Sequence, residues 1–121
     1  MHFTGMNAMG HSVMLSGDDT AVGSMESVLM AVASCSGIDI ALILKKMKQE
    51  LENIEVLVEG DRAEKPPRVY THIRLHYILY GNVKEKKAEQ AIELSLGKYC
   101  SVSQMIKNSV DIKSSFEVRS K

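Results

Sequence analysis

One apolar stretch, Val28–Leu44, constrains this fold more than any other feature. It contains no Lys or Arg, and it spans 17 residues, the short limit for a helix that crosses a bilayer. Four polar or small residues interrupt it: Ser34, Ser36, Gly37 and Asp39. We therefore interpret the stretch as part of a long core helix and expect no membrane association.

Residues at both ends extend this helix from Ser24 to about Lys48. Ser24 is a favourable N-cap, and Glu26 places a negative charge in the first turn, where the helix dipole favours it. Lysines occupy the last turn. Because the stretch between them is apolar nearly all round, we expect the helix to be buried on most sides.

Alternating and amphipathic patterns fill the rest of the chain. They predict strands near Ser12–Leu15, Ile54–Val58, Val69–Tyr80 and Val110–Val118, and helices over Val83–Gly97 and Cys100–Asn108. In the longest strand Val69, Ile73, Leu75, Tyr77 and Leu79 share a core face, and His72, Arg74 and His76 share a face towards solvent or an interface. This order predicts a single α+β domain over residues 1–121 with a largely antiparallel sheet.

Composition excludes several functional classes. The 15 Lys and Arg balance the 15 Asp and Glu, and six aromatic residues include no Trp, so we expect no nucleic-acid partner. Nothing at the N-terminus resembles a signal peptide, and two cysteines are too few for a disulfide scaffold, so we expect a cytoplasmic protein. Zero net charge protects solubility weakly and favours self-association.

Cys35 lies in the middle of the apolar helix, and two interpretations of it stay open. A cysteine there is most simply a small core side chain, and buried cysteines are usually inert. Ser34, Ser36 and Asp39, however, place polar groups near the thiol. Gly37 costs about 1 kcal/mol of helix stability relative to Ala, which favours a close approach by another group.

Cys100 precedes the short third helix, in the sequence Lys98-Tyr99-Cys100-Ser101. It is either an ordinary cap residue or a thiol whose ionised form the helix terminus and the lysine stabilise. Two such cysteines permit a known chemistry. One thiolate reduces a hydroperoxide and becomes a sulfenic acid, and the second condenses with it to form a disulfide.

Glu26 lies nine residues before Cys35, roughly 13 Å away along the helix axis and on the opposite face. It can therefore reach a Cys35 thiol only from a second chain or through an irregular helix. The simpler interpretation is a carboxylate that complements the helix dipole.

Metal and cofactor signatures are weak. His72 and His76 lie about 13 Å apart along one strand, too far to share a metal ion. No Cys/His cluster has zinc spacing, and the chain has no phosphate loop, G-x-S-x-G or dinucleotide fingerprint. We therefore expect neither a metal nor a cofactor.

Three motifs together resemble the OsmC/Ohr family (osmotically induced protein C and organic hydroperoxide resistance proteins), in its generic OsmC-like branch. The first is Gly23-Ser24-Met25-Glu26 followed, after eight intervening residues, by Cys35-Ser36. The others are Pro67-Arg68-Val69-Tyr70-Thr71-His72-Ile73-x-Leu75-His76-Tyr77, with Gly81 after it, and Lys98-Tyr99-Cys100-Ser101-Val102. The similarity spans about residues 10–119.

The resemblance implies an intertwined α+β homodimer with two active sites between the chains. It also implies roles for three residues: Cys35 attacks the peroxide, Cys100 resolves through an intramolecular disulfide, and Glu26 orients the site. The family reduces organic and fatty-acid hydroperoxides in oxidative-stress defence and takes electrons from dithiols such as lipoylated proteins, without haem, flavin or metal. The alternatives are a non-catalytic OsmC-like binding module and a redox sensor.

The chain departs from the family pattern at its N-terminus. Active peroxidases of the family carry an arginine before the long helix, whereas no arginine occurs here before Arg62. We accordingly expect a family N-terminal strand to be truncated in this chain.

Overall fold

A computed structural model describes residues 1–120 and confirms the α+β class. The strands are β1 (His2–Met6), β2 (Ser12–Ser16), β3 (Glu50–Arg62), β4 (Tyr70–Asn82) and β5 (Asp111–Arg119). The helices are α1 (Ser24–Lys46), α2 (Glu85–Leu94) and α3 (Ser101–Ile106), and a π-helical turn, Ser95–Tyr99, joins α2 to α3. The strands form two sheets, β1-β2 and β3-β4-β5.

The larger sheet is mixed. β4 is its central strand and pairs antiparallel with β3 but parallel with β5. The parallel pairing arises because α2, the π-helical turn and α3 carry the chain back to the starting end of β4, and parallel neighbours require such a crossover. The expected antiparallel pairing therefore holds for β1-β2 and β3-β4, while β5 departs from it.

The first 22 residues contain one strand more than the sequence analysis placed there. β1 pairs antiparallel with β2, and the side-chain oxygen of Asn7 accepts bonds from the backbone N–H groups of Met9 and His11 in the connecting turn. Every residue of β1 is exposed, so burial imposes no hydrophobic alternation on it. A pattern-based prediction had no signal to detect there.

The buried face of β4 follows the predicted alternation except at its start. Four of its predicted core residues are buried: Ile73, Leu75, Tyr77 and Leu79. Val69, also predicted as core, is 52% exposed, and Tyr70 is buried in its place. The register between β3 and β4 shifts beyond Asp61, and this bulge reverses which residue faces inward.

The opposite face of β4 carries polar side chains, as predicted. The Arg74 guanidinium donates hydrogen bonds to Glu59 and Asp61 on β3. His76 lies within hydrogen-bond distance of Ser115 and Glu117 on β5. These cross-strand pairs lie on the side of the sheet away from the hydrophobic core.

Within one chain, α1 is covered on one face rather than on most sides. The sheet and the C-terminal helices bury Val32, Ala33, Ser36, Gly37, Ile40 and Leu44, while Met30, Ile38 and Leu42 are at least half exposed. The helix is long and apolar enough to cross a membrane, but the core helix of a soluble protein has the same composition. The predicted burial of the second face would require another surface to cover it.

Gly81 provides a test of the β3–β4 pairing. Its φ is +132°, and a Cβ atom there would lie 2.2 Å from the carbonyl oxygen of Glu50. We expect Gly81→Ala to lower the free energy of unfolding by about 2 kcal/mol or more, measured by guanidinium chloride denaturation. Gly17→Ala is the matched control, because a Cβ atom at Gly17 meets no atom within 4 Å. Equal stability of the two variants would contradict this packing.

Candidate active site

The structure brings Cys35 and Cys100 together, with Asp39 as a third member. The two sulfur atoms and a carboxylate oxygen of Asp39 all lie within 4.8 Å of one another. Both cysteines are free thiols. This cluster joins the middle of α1 to the start of α3, and hence two distant parts of the sequence.

Cys35 is positioned by the packing of α1 on the sheet. It lies on the boundary between the buried and exposed faces of the helix and is itself half-buried. Gly37, two residues later, faces β3, and a Cβ atom there would lie 3.4 Å from the side chain of Val56, an ordinary contact distance. The packing at this point therefore does not require a glycine, and the close approach expected from Gly37 stays a prediction.

Cys100 is the N-cap of α3 and is fully buried. Its backbone N–H donates to the carbonyl of Ser95 at 2.7 Å, and its sulfur accepts from the backbone N–H of Ser103 at 3.4 Å. Burial raises the pKa of the Cys100 thiol, Ser103 opposes that rise, and the neighbouring Cys35 adds to it. Cys100 is therefore a helix-cap residue, as one interpretation of the sequence predicted. It also belongs to the cluster with Cys35 and Asp39.

A chain of buried hydroxyl groups fixes the helix beside the cluster. The Tyr77 hydroxyl on β4 donates to the Ser36 hydroxyl at 2.7 Å, and Ser36 donates to the carbonyl of Val32. The Ser95 hydroxyl donates to the backbone carbonyl of Ser36 at 3.2 Å. Burial raises the pKa of Tyr77 to about 12, so this phenol is un-ionised at neutral pH. The network ties α1 to β4 and to the turn before Cys100.

Asp39 lies one helical turn after Cys35 and borders a groove. Its Oδ2 atom is buried and has no hydrogen-bond partner among the described residues. The groove has a volume of about 490 Å³ and is lined by Asp39, Leu42, Ile43, Lys46, Met47, Leu94 and Tyr99. An open, largely apolar space therefore adjoins the cysteine pair.

Glu26 lies apart from this cluster. Its carboxylate accepts a hydrogen bond from the backbone N–H of Gly23 at 2.9 Å, so Gly23 rather than the predicted Ser24 is the N-cap of α1. Glu26 is exposed at the far end of the helix from the thiols. Within one chain it is a helix-capping residue, in agreement with the helix geometry.

Tyr70 is influenced by two charges of opposite sign, those of Glu26 and Arg62. The Tyr70 hydroxyl donates to the carbonyl of Met25 in the first turn of α1 at 2.7 Å. Burial raises the pKa of Tyr70; the charge of Arg62 lowers it and that of Glu26 raises it. Opposite charges from β3 and α1 therefore act on the same hydroxyl group.

The other arginines have partners elsewhere. Arg68 donates to the carbonyl of Ala63 in the β3–β4 connection, Arg74 contacts β3, and Arg119 contacts Glu117. Over residues 1–120, no arginine donates a hydrogen bond to Cys35. The sequence has no arginine before the long helix, and the described part of the single chain supplies no other arginine that bonds to Cys35.

Sequence analysis missed the full role of two residues. It named Asp39 as a polar group near the Cys35 thiol but did not predict that its carboxylate meets both sulfur atoms, although its spacing of four from Cys35 puts both side chains on one helix face. It assigned Tyr77 to the core, which is correct, but nothing local indicated that its hydroxyl meets Ser36. That contact depends on the pairing of β4 with the helix above it.

Comparisons with known proteins identify the family of this chain. A family model described as OsmC-like protein matches residues 17–115. The chain belongs to the OsmC-like family. It is 42% identical to Protein YhfA of Escherichia coli K12 over 119 residues, which cover 96% of this chain and 89% of that protein.

Comparison with solved structures confirms the fold. A hypothetical protein from Aquifex aeolicus superimposes with a TM-score of 0.87 at 35% identity, covering 100% of this chain and 96% of that one. An organic hydroperoxide resistance protein OsmC from Legionella pneumophila superimposes with a TM-score of 0.72 at 19% identity, covering 97% and 95%. The likeness to the Legionella protein shows a common fold.

The burial of the two thiols of this OsmC-like chain predicts a difference in reactivity. We expect iodoacetamide to modify Cys35 in the folded, reduced protein and Cys100 only after unfolding, because Cys100 is 0% exposed. Intact-mass measurement should show one adduct under native conditions and two in denaturant. Cys35→Ser is the control and should show none until it is unfolded. Equal native modification of both cysteines would contradict the placement of Cys100.

Proposed function

We propose that this OsmC-like protein is a cysteine-dependent peroxidase that reduces organic hydroperoxides with electrons from a dithiol. The observation that carries the proposal is the proximity of a half-buried thiol, Cys35, to a fully buried one, Cys100. The similarity in fold to hydroperoxide resistance proteins supports it. We place the activity in the cytoplasm, where a reduced dithiol pool is maintained.

The first step oxidises Cys35. Its thiolate attacks the terminal oxygen of the hydroperoxide, the O–O bond breaks, and the alkoxide that leaves takes a proton to become an alcohol. The sulfur is now a sulfenic acid. Cys35 suits this role better than Cys100, because its side chain is partly accessible whereas Cys100 is enclosed.

The second step forms the disulfide. The Cys100 sulfur displaces hydroxide from the Cys35 sulfenic acid, so that a water molecule leaves and one S–S bond forms. The two sulfur atoms lie within 4.8 Å of each other and must approach to about 2.05 Å for the bond to form. An external dithiol then reduces this bond and itself becomes a disulfide.

The groove beside Asp39 supports a substrate with an alkyl part. Leu42, Ile43, Met47 and Leu94 provide apolar surface for it. Burial of an alkyl chain on such surface contributes about 25 cal/mol per Å² of apolar area. Lys46 adds a single cation to the lining, so the groove can accommodate an apolar chain with a polar end.

A homodimer completes the site in this proposal. The exposed apolar face of α1 supports a second copy of the chain, since Met30, Ile38 and Leu42 lie on the same helix as Cys35. Glu26 lies too far from Cys35 along one helix to contact it. A partner subunit whose helix crosses α1 would supply a carboxylate in place of this chain's own.

In the proposed dimer, Arg62 and Glu26 of one subunit would both lie near the thiols of the other. Both charges act on Tyr70, which anchors β4 to the first turn of α1. Arg62 donates through Nε to the carbonyl of Arg68 at 2.8 Å, which holds it in the strand connection that follows Tyr70's partner strand. We infer that a surface that presents Glu26 to the neighbouring subunit also presents Arg62. We infer that Arg62 replaces the N-terminal arginine of the family and stabilises the charge that develops on the peroxide oxygen.

Turnover with a model hydroperoxide tests the chemistry. With dithiothreitol or dihydrolipoamide present, we expect the wild type to consume cumene hydroperoxide catalytically and Cys35→Ser to fall to the background of a cysteine-free variant. Without reductant, the wild type should consume one equivalent and yield a disulfide. Cys100→Ser should consume one equivalent and leave a sulfenic acid that dimedone traps, measured by mass spectrometry.

Two other outcomes of this experiment would each favour one of the alternative functions. A reversible Cys35–Cys100 disulfide that forms without appreciable turnover would indicate the redox sensor. Failure of the reduced wild type to consume peroxide above the cysteine-free background, with no disulfide formed, would indicate the non-catalytic binding module.

Charge substitutions test the contribution of the partner subunit. We expect Glu26→Gln and Arg62→Ala each to lower kcat/KM at least about tenfold, a loss of about 1.4 kcal/mol in transition-state stabilisation. Glu26→Gln retains an acceptor for the N–H of Gly23, so the helix cap persists. Arg68→Ala is the control, because Arg62 and Arg68 each donate through Nε to a backbone carbonyl of the β3–β4 connection, whereas of the two only Arg62 acts on Tyr70. An unchanged kcat/KM in Arg62→Ala, or a dimer-free protein with full activity, would remove this part of the proposal.

A further inference from the structure

We propose that the reduced cluster of Cys35, Asp39 and Cys100 is a binding site for a thiophilic divalent cation such as Zn²⁺. Three side-chain donors converge there, and a water molecule from solvent would complete four-coordination. The site requires only the reduced thiols, so this inference does not depend on the peroxidase activity.

The donor set suits such a cation. Zn²⁺ is bound by cysteine sulfur and aspartate oxygen, and three protein ligands with one open position form a common type of site. Soft sulfur ligands select Zn²⁺ and similar ions over Mg²⁺ or Ca²⁺, which prefer oxygen alone. The half-buried side chains of Cys35 and Asp39 leave one side of the cluster open to solvent.

The geometry requires only small adjustments. Typical Zn–S and Zn–O distances of about 2.3 and 2.0–2.2 Å place tetrahedral ligands roughly 3.5–3.8 Å apart. The three donor atoms already lie within 4.8 Å of one another. Cys35 and Asp39 are four residues apart, so α1 presents both on one face, while α3 supplies Cys100 from the opposite side.

The carboxylate provides an independent observation. Asp39 Oδ2 is buried without a hydrogen-bond partner, and no Lys, Arg or His within residues 1–120 forms a salt bridge with Asp39. An unsatisfied buried oxygen is costly, and an absent ion is one of its standard explanations. A cation between the carboxylate and the two sulfur atoms would satisfy it.

Binding would have a consequence for the thiol chemistry. The cation displaces one proton from each thiol and bonds to both sulfur atoms, without any change in oxidation state. A metal-bound pair cannot form the Cys35–Cys100 disulfide, and the disulfide cannot supply two thiolate ligands. Cation binding and oxidation of the pair therefore exclude each other.

Titration of the reduced, metal-free protein with Co²⁺ tests the site. We expect one ion per chain, a sulfur-to-cobalt charge-transfer band with the intensity of two thiolates, and visible bands typical of tetrahedral coordination. Zn²⁺ should displace the Co²⁺ stoichiometrically. Cys35→Ser should lose at least half of the charge-transfer intensity, and Asp39→Asn should weaken binding at least about tenfold.

Controls separate ligand loss from unfolding. Asp111→Asn makes the same carboxylate-to-amide change at an exposed position and should bind Co²⁺ as the wild type does. Thermal unfolding of each metal-free variant checks the fold. As a second measurement, Zn²⁺ should slow alkylation of Cys35 in the wild type more than in Asp39→Asn.

Three results would overturn the proposal: no sulfur-to-cobalt band, a band with the intensity of one thiolate, or wild-type affinity in folded Asp39→Asn. The titration contains no peroxide, so its result stands whether or not the protein turns over hydroperoxides. Conversely, loss of turnover with intact Co²⁺ binding would reject the proposed function alone.

Discussion

The packing of α1 against the sheet is the constraint on which the rest of this structure depends. Gly37 lies against Val56 on β3, and the Tyr77–Ser36 hydrogen bond fixes the helix on β4. Cys35 is adjacent to these two anchoring residues. Its distance from Cys100 is therefore set by buried contacts rather than by a mobile loop, and the thiol pair is preorganised.

Buried serines on α1, on the π-helical turn and on α3 give the core a polar content. Ser36, Ser95 and Ser103 are nearly or fully buried, and each of them donates a hydrogen bond from its hydroxyl group. Asp39 Oδ2 differs, because it has no hydrogen-bond partner within residues 1–120. The unpaired oxygen thus belongs to the same residue that lies beside Cys35 and Cys100.

In the proposed function, a partner subunit would supply the charged groups that one chain does not bring to its own thiols. The cysteine pair is contained within one chain, whereas Glu26 lies in the first turn of α1, where its charge and that of Arg62 act on Tyr70. Of the apolar residues that one chain leaves exposed on α1, Met30 lies between Glu26 and Cys35, and Ile38 and Leu42 lie beyond Cys35. The proposed dimer would cover that surface and bring the charged end of one helix to the thiols of the other.

The sequence by itself determined the elements with a strong local signal. The long apolar helix, the alternating residues of β4 and the α+β class follow from periodicity, and the two cysteines follow from their motifs. Tertiary structure alone decided that β5 runs parallel to β4, that a bulge turns Tyr70 inward instead of Val69, and that Asp39 joins the cysteine pair. Periodicity reports which face of one element is apolar, but distances between elements depend on how the whole chain packs, and no local pattern encodes them.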